Sequence, residues 1–340
     1  MRVLTPARVA LILSVLFLLL VVTCFIGLGV GPSALGPLEV GAVLLGDDSP
    51  AAQADIVLRV RLPRVLLAAL VGASLAVSGV LFQALLRNPL ADPYVLGVSG
   101  GAALGGIAMM ILGGSVGLGY AAVPPAAFAG AVATTLLLYA IAAVGGRVSA
   151  TNLLLTGVVF NAFASAAIVF LASLAGLSEG ASIYLWLIGS LSASRIDVAG
   201  WVALFLAAGL ASALPMARSL NLLTLGEEGA AQLGVEIERV KRLLLVSTSL
   251  MVGAAVSVAG LIGFVGLIIP HLLRLVFGPD HRLLVPAAAL GGGAFLVLCD
   301  TIARSLLAGR ELPVGAITAI AGGPLFLWLL RRHHLRTLST

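Results

Sequence analysis

The chain has 340 residues, of which 61% are apolar and only 10% are charged, and its mean hydropathy is +1.18. About a quarter of the residues of an ordinary soluble protein are charged, so this composition argues against a soluble enzyme, a disordered chain and a nucleic-acid-binding protein. The sequence predicts an all-α, polytopic membrane protein, and its net charge of +5 then concerns membrane topology.

Stretches without Asp, Glu, Lys or Arg locate the membrane spans, because a helix needs about 20 apolar residues to cross a bilayer core. The stretch 93–146 is long enough for two spans, broken at the glycine-rich segment 113–119. The stretch 243–273 holds either one long span or two that meet near Ala259 and Gly260. The stretches are 9–38, 65–86, 93–146, 148–178, 198–217, 243–273, 283–299 and 312–330.

Charge decides between nine and ten spans. Both ends of the chain carry arginines, which predicts that both are cytoplasmic and that the number of spans is even, hence ten. Under this topology 13 basic residues lie inside and six outside. The first apolar run lacks an A-x-A cleavage site, so we interpret it as a retained first helix. The six outer cations are Arg59, Arg61, Arg64, Arg195, Arg304 and Arg310.

Ten spans leave a single membrane domain, 1–340, with a long outer loop at 31–63 and a long inner segment at 218–242. In the inner segment, Thr224 and Glu227 fit a capping box and Gly234 fits a stop, which predicts a short helix over 225–233. The neighbouring leucines then lie flat against the protein's own helix ends or form a knob that docks a cytoplasmic partner. They are Leu222, Leu223, Leu225 and Leu233.

The outer arginines have two interpretations. They pair with nearby acids, or they form a cationic face for an acidic partner or an anionic ligand, for which guanidinium groups are suited. The candidate acids are Asp47, Asp48, Asp55, Asp300 and Glu311.

The sequence offers little chemistry inside the membrane. All 14 carboxylates lie in loops or at helix ends, so a coupling ion or a proton relay has no mid-membrane site. The single lysine, Lys241, has no P-loop around it, so ATP and Mg²⁺ would bind to another subunit. Cys24 and Cys299 have no metal-ligand spacing, and we expect no metal, catalytic or cofactor site.

The spans also carry small and weakly polar residues. Gly97, Gly101 and Gly105 are spaced for close helix contact.

The match of residues 97–101 to G-x-S-x-G, with His271 in a later helix, admits an intramembrane serine hydrolase as a remote alternative. An ion-coupled secondary transporter is the other alternative. Hydrogen-bonding residues that could line a path are Ser78, Gln83, Ser99, Thr156, Asn161 and Ser165.

Several segments together resemble the ten-helix permeases of type II ABC importers, which are binding-protein-dependent importers for iron chelates, haem and cobalamin. The resemblance covers nearly the whole chain. The segments are RLPR at 61–64, SG at 78–79 with Gln83, RNPLADP at 87–93, LGVS at 96–99, LGEE at 225–228, GFVGLIIPHLLR at 263–274, GPDH at 278–281 and ELP at 311–313.

The resemblance implies a permease in the cell (inner) membrane that moves its cargo by alternating access. Its expected partners are a second copy of the chain, two ATP-binding cassette subunits and one extracytoplasmic solute-binding protein, with membrane lipid around it and no nucleic acid. It also implies inverted repeats of helices two to five and seven to ten. The cargo would be a ferric siderophore, haem or cobalamin, and no feature of the sequence separates these three.

The resemblance also implies roles for particular residues. Arg61, Arg64 and Arg304 would meet acidic residues of the binding protein. Asn88, Leu90, Thr151 and Asn152 would form the inner gate, in which Ala150 stands where some relatives carry a hydroxyl residue, and Ser99 and Asn161 would line the path. The ATPase contacts would come from Leu220, Leu222, Leu223, Thr224, Leu225, Gly226, Glu227, Glu228 and Gly234.

Overall fold

The structure is a computed structural model that describes residues 5–31, 35–46, 50–113, 120–144, 147–174, 177–191, 196–307 and 310–337. Within these residues the only strands form one two-stranded antiparallel hairpin, in which Ala143 pairs with Val148. The other regular elements are helices, which confirms the all-α prediction. Asp47, Asp48 and Arg195, named above as outer charges, lie outside the described residues.

We number the helices of the described residues in chain order. The first eight are α1 (Pro6–Gly29), α2 (Pro37–Leu45), α3 (Ala51–Asp55), α4 (Leu62–Leu85), α5 (Val98–Leu112), α6 (Val123–Ala142), α7 (Ala150–Leu174) and α8 (Leu177–Ile188). The others are α9 (Ile196–Ala213), α10 (Ala217–Leu223), α11 (Glu227–Gln232), α12 (Ile237–Ala259), α13 (Val265–Phe277), α14 (His281–Ser305) and α15 (Val314–Thr337). Strands β1 (Ala143–Val144) and β2 (Arg147–Val148) join α6 to α7, and a π-helical turn (Ile56–Arg61) joins α3 to α4.

Ten of these helices match the ten predicted spans. Seven helical stretches are long and apolar enough to cross a membrane, namely α1, Ala51–Leu85, Tyr120–Ala142, α7, α9, α12 and α14, and three shorter apolar helices, α5, α13 and Val314–Trp328 of α15, complete the set. The ambiguous stretch 243–273 is two helices, because α12 ends at Ala259 and Gly260 follows with φ +68°.

The spans run alternately between two ends of the bundle. Arg61, Arg64 and Arg304 lie at one end, which we call the arginine-rich end, and α10 and α11 lie at the other, which we call the segment end. Helix α1 finishes at the arginine-rich end, where Arg304 donates to the carbonyl of Gly27, and α15 begins there, where Leu312 N–H bonds the carbonyl of Ala303. The start of α1 and the end of α15 therefore lie at the segment end.

Packing between the spans shows the expected inverted repeats of α4–α7 and α12–α15. Helices α4 and α12, the first of each repeat, pack against each other at the centre. Helix α4 then packs on α14 of the second repeat, and α12 packs in the equivalent way on α6 of the first. This exchange places α4, α12 and α14 in the core, whereas α1 and α7 expose long apolar faces, as expected for helices that meet lipid.

Glycines let the central helices approach closely. A Cβ atom on Gly72 would overlap the backbone of Gly292, and a Cβ atom on Gly79 would overlap the carbonyl of Gly266. These contacts are of the small-residue kind that holds membrane helices together, since the bilayer supplies no hydrophobic drive between them.

Three features differ from the sequence-based expectations. The outer loop 31–63 contains α2, α3 and the π-helical turn rather than irregular chain. Helix α8 is an additional short helix between the fifth and sixth spans. The inner segment contains two helices, α10 and α11, where one helix over 225–233 was predicted.

Candidate functional site

The segment formed by α10 and α11 lies across one end of the bundle. The capping-box prediction for Thr224 is wrong: its hydroxyl donates to the carbonyl of Asn221 at 2.6 Å, and the cap of α11 is Gly226 with φ +99°. A backbone in this left-handed region favours glycine, so the helix begins only at Glu227. The stop at Gly234 is confirmed, with φ +84°.

The leucines of this segment divide between the two interpretations. Leu220 and Leu223 are buried against the protein's own helices, at 0% and 3% exposure. Leu225 and Leu233 are 67% and 59% exposed, which is unusual for leucines on a polar loop. Beside α11 lies a cleft of about 730 Å³ whose rim carries charges of both signs, including Glu228, Arg147 and Arg242. Apolar knobs beside a charged cleft suit the docking of another protein.

Asn221 fixes α10 to the start of α14, a contact that the sequence analysis missed. Its side-chain oxygen accepts from the backbone N–H of His281 at 2.9 Å, and its amide group donates to Asp280 Oδ1 at 2.9 Å. The guanidinium of Arg282 also binds Asp280 and holds the pKa of that carboxyl well below its usual range, so the anchor stays ionised near neutral pH. The GPDH segment at 278–281 is the sequence feature that carries this anchor.

Asn88 and Leu90 lie in the connection from α4 to α5. Pro89 and Pro93 disfavour a continuous α-helix through this connection, and Asn88 closes a turn by accepting from Leu90 N–H at 2.9 Å. Both residues are exposed at the segment end. Thr151 and Asn152, in the first turn of α7, are exposed as well. The structure therefore leaves all four predicted gate residues accessible, and their role as a gate stays a prediction.

The rest of the α4–α5 connection folds inward between helices. Asn161 of α7 donates to the backbone carbonyls of Tyr94 and Val95, at 2.9 and 3.2 Å. Asp92 caps the turn Pro93–Leu96 through Tyr94 N–H at 2.9 Å. Asp92 is partly buried, and its described contact is that of a structural cap.

The two path candidates differ in environment. Ser99 is 2% exposed, and Asn161 is partly exposed and bonded to the connection just described. Their role in lining a path stays a prediction. The G-x-S-x-G match has a structural explanation, because Gly97, with φ +85°, caps α5 where the chain turns into the helix.

The arginine-rich end contains a buried charge cluster. Arg64 donates to the carboxylate of Asp300 through Nε and Nη2, at 3.0 to 3.1 Å, and to Glu311 Oε2 through Nη1 at 2.8 Å. Arg304 Nε lies 3.1 Å from Oδ2 of the same carboxylate. Arg61 donates to the carbonyls of Leu28 and Gly29.

These contacts join the start of α4, the end of α14 and the end of α1. Arg61, Arg64 and Arg304 are only 3%, 7% and 4% exposed. The structure thus supports pairing with acids of the same chain for Arg64 and Arg304, and Arg61 is held by backbone carbonyls. Docking by these three residues stays a prediction. Arg59 at the same end has an exposed side chain and pairs with Asp55.

The chain matches the FecCD transport family over residues 19–332. It is 48% identical to the cobalamin import system permease protein of Halobacterium salinarum, across 83% of this chain and 75% of that protein. It is 41% identical to the hemin transport system permease protein of Yersinia pestis, across 95% and 96% of the two chains. The chain belongs to the FecCD transport family.

A solved structure supports the same conclusion for this FecCD permease. A metal-chelate type ABC transporter in an inward-facing conformation superposes with a TM-score of 0.82 and 32% identity, over 95% of this chain and 99% of that one. The FecCD protein is thus the multi-pass permease of a type II ABC importer, a transport subunit rather than an enzyme.

Proposed function

We propose that this permease forms the path of an ATP-driven importer that carries a metal chelate into the cell by alternating access. The complete importer would contain two copies of the chain, two ATPase subunits and one extracytoplasmic binding protein. The segment end and both termini would face the cytoplasm, and the arginine-rich end would face outwards. ATP and Mg²⁺ would bind only to the ATPase subunits.

The observation that carries the proposal is full-length similarity to importer permeases combined with the α10–α11 segment. This segment presents exposed leucines and a charged cleft at one end of an otherwise apolar bundle. ATP binding by the partner subunits would press on the segment and shift the balance between two packings of the bundle. A ligand drives such a change only through its different affinity for the two states, and here that ligand is ATP on the partner.

For the cargo we propose a macrocyclic metal complex. The relatives from Halobacterium salinarum and Yersinia pestis are named for cobalamin and hemin, which hold a metal in a corrin and a porphyrin ring. Of the two, cobalamin is favoured by the higher identity, 48% against 41%. A ferric siderophore is the third candidate.

The test is uptake by the purified complex in proteoliposomes. We expect ATP-dependent accumulation of labelled cobalamin when the binding protein and the ATPase subunits are present, with haem and a ferric siderophore as parallel substrates. Accumulation driven by an ion gradient in vesicles without the ATPase would contradict the proposal and favour a secondary transporter.

We also propose that the binding protein docks at the arginine-rich end. Arg61, Arg64 and Arg304 already bind groups of the same chain. Reversing their charge would therefore change the stability of the protein as well as docking, and the two effects could not be separated. Arg59, whose side chain is 81% exposed, and the exposed Arg310 are cleaner probes of the same surface.

We predict that R59E combined with R310E weakens docking of the binding protein, and that the loss shrinks as salt screens the surface charges. Binding measured by surface plasmon resonance at low and high salt checks this. The matched control is charge-neutral R59Q with R310Q, which should show a smaller loss. Unchanged affinity in the charge-reversed variant would remove these two arginines from the docking surface.

A further inference from the structure

The single lysine of the chain lies buried where three elements of the segment end meet. Lys241, in the first turns of α12, is 4% exposed. Its ammonium donates to Glu227 Oε2 of α11 at 2.7 Å, to the backbone carbonyl of Val148 in β2 at 2.8 Å, and to Glu238 Oε1 at 3.4 Å. The three donors of the ammonium thus have three acceptors, on α11, on β2 and on α12 itself.

A second set of bonds extends this junction in two directions. Glu238 Oε2 accepts from Val148 N–H at 2.9 Å, so both backbone polar groups of Val148 are held by α12. Glu227 Oε1 accepts from Arg87 at 3.4 Å. We call these five residues the Lys241 junction: Arg87, Val148, Glu227, Glu238 and Lys241.

The position of the junction connects the docking segment to both predicted gate elements. Val148 lies two residues before α7, whose first turn carries Thr151 and Asn152. Arg87 immediately precedes Asn88. Glu227 is the first residue of α11. Glu227 of α11 thus contacts Arg87 directly and Val148 through Lys241, and both of these residues lie beside predicted gate elements.

The charges of the junction favour a connection that moves as one body. Two cations face two carboxylates, so the group is neutral. If Lys241 lost Glu227, its nearest carboxylate, its buried ammonium would keep only the longer contact to Glu238, at 3.4 Å, which is costly in a poorly solvated site. Pulling Glu227 away from Lys241 is thus unfavourable, and α11 and β2 should shift together.

We propose that Lys241 is a positioning residue that transmits movement of α11 to α7, while Glu227 itself contacts Arg87 of the α4–α5 connection. The inference rests on the proposed function, because it requires ATPase subunits that move α11. It assigns to Lys241 a role different from simple anchoring of the segment. Anchoring alone would make the loss of Lys241 weaken docking, ATP hydrolysis and uptake together.

The experiment uses nitroxide labels in the complete complex and needs no identified cargo. In a C24A/C299A background, one label is placed on α11 through A231C and another, in a separate sample, on α7 through N152C. Both positions are exposed. The probe is ATP with vanadate, and the readout is the change in label mobility on trapping.

With Lys241 present, we expect both labels to respond. With K241M, which keeps the length of the side chain but removes its charge, the α11 label should still respond. The response of the α7 label should fall about tenfold, within the usual range of coupling between sites. K241R, which keeps a cation with several donors, should restore part of the α7 response.

A matched control is R8M, which removes a cation of α1 at the same end and should leave both responses unchanged. If K241M folds poorly, E238Q tests the same bonds more mildly and should reduce only the α7 response. A full α7 response in K241M would overturn the inference, and so would loss of both responses, which would show anchoring. Absence of any response with Lys241 present would instead overturn the proposed function.

Discussion

Asp300 is the residue on which the arginine-rich end depends. It is 1% exposed, and it faces both Arg64 and Arg304. In a buried ion pair the mutual attraction mainly offsets the cost of desolvation, so the pair adds little stability until one member is removed. Removal then leaves a charge without compensation among apolar helices.

We predict that D300N destabilises the permease by about 3 kcal/mol, because it leaves Arg64 and Arg304 short of a counter-charge. The apparent melting temperature of the purified protein in detergent checks this. E311Q is the matched control: the Glu311 side chain is 44% exposed, and its loss should cost at most about 1 kcal/mol. Equal melting temperatures for D300N and the unmodified protein would contradict the structural role.

Gly79 gives a second residue-scale prediction. Its added Cβ in G79A would overlap the carbonyl of Gly266, a backbone atom that cannot rotate away, so α4 and α13 have to separate. We expect a loss of about 1 to 3 kcal/mol, typical of overpacking, measured by the same melting experiment. The control is G41A in α2, where nothing lies within 4 Å of the added methyl group and a gain of about 0.5 to 1 kcal/mol is expected. Greater stability of G79A would mean that the helices are less tightly packed than described.

At the scale of elements, the inner segment shows where local sequence rules fail. Thr224 and Glu227 have the spacing of a capping box, yet the chain bends at Gly226 and begins α11 there. The Glu227 side chain therefore does not cap the helix. It forms ion pairs with Arg87 and Lys241, which belong to other elements. The capping rule considers only neighbours along the chain, so it could not include these partners.

We predict that reversing Glu227 and Glu228 together, as E227R with E228R, uncouples ATP turnover from uptake. A cation at position 227 would face Arg87 and Lys241, and a second cation would change the charge of the cleft. Uptake should fall about tenfold while ATP hydrolysis continues, measured side by side in proteoliposomes. E227Q with E228Q is the control of similar size, with a smaller expected loss. Unchanged uptake in the reversed variant would remove the segment from coupling.

At the scale of the whole molecule, the alternation of spans puts α3 and α11 at opposite ends. We predict that A52C in α3 reacts with a membrane-impermeant maleimide added to intact cells, in a background of C24A and C299A. A231C in α11 should react only after the membrane is opened, because the positive-inside bias of 13 to 6 predicts that the segment end faces the cytoplasm. Labelling of both positions from outside would contradict the ten-span topology.

Composition and charge by themselves determined the class of protein, the number of spans and the break at Gly260. Composition and charge suffice for this because a bilayer imposes one strong local requirement, about 20 apolar residues for each crossing. That requirement can be recognised in the sequence without knowing any tertiary contact. The position of the inner segment 218–242 also followed from the sequence. The predicted gate residues and the predicted docking role came only from the resemblance to known permeases.

Only the tertiary structure decided which charges are buried and what they bind. Arg64 and Asp300 are 236 positions apart, and Lys241 binds Val148 from 93 positions away, so no local pattern could pair them. The inverted repeats bring such residues together by packing the start of one repeat against the other. Because these charges are buried among apolar helices, losing one partner would leave an unpaired charge there at a large cost in free energy. A few ionic contacts therefore matter strongly for the stability of the fold.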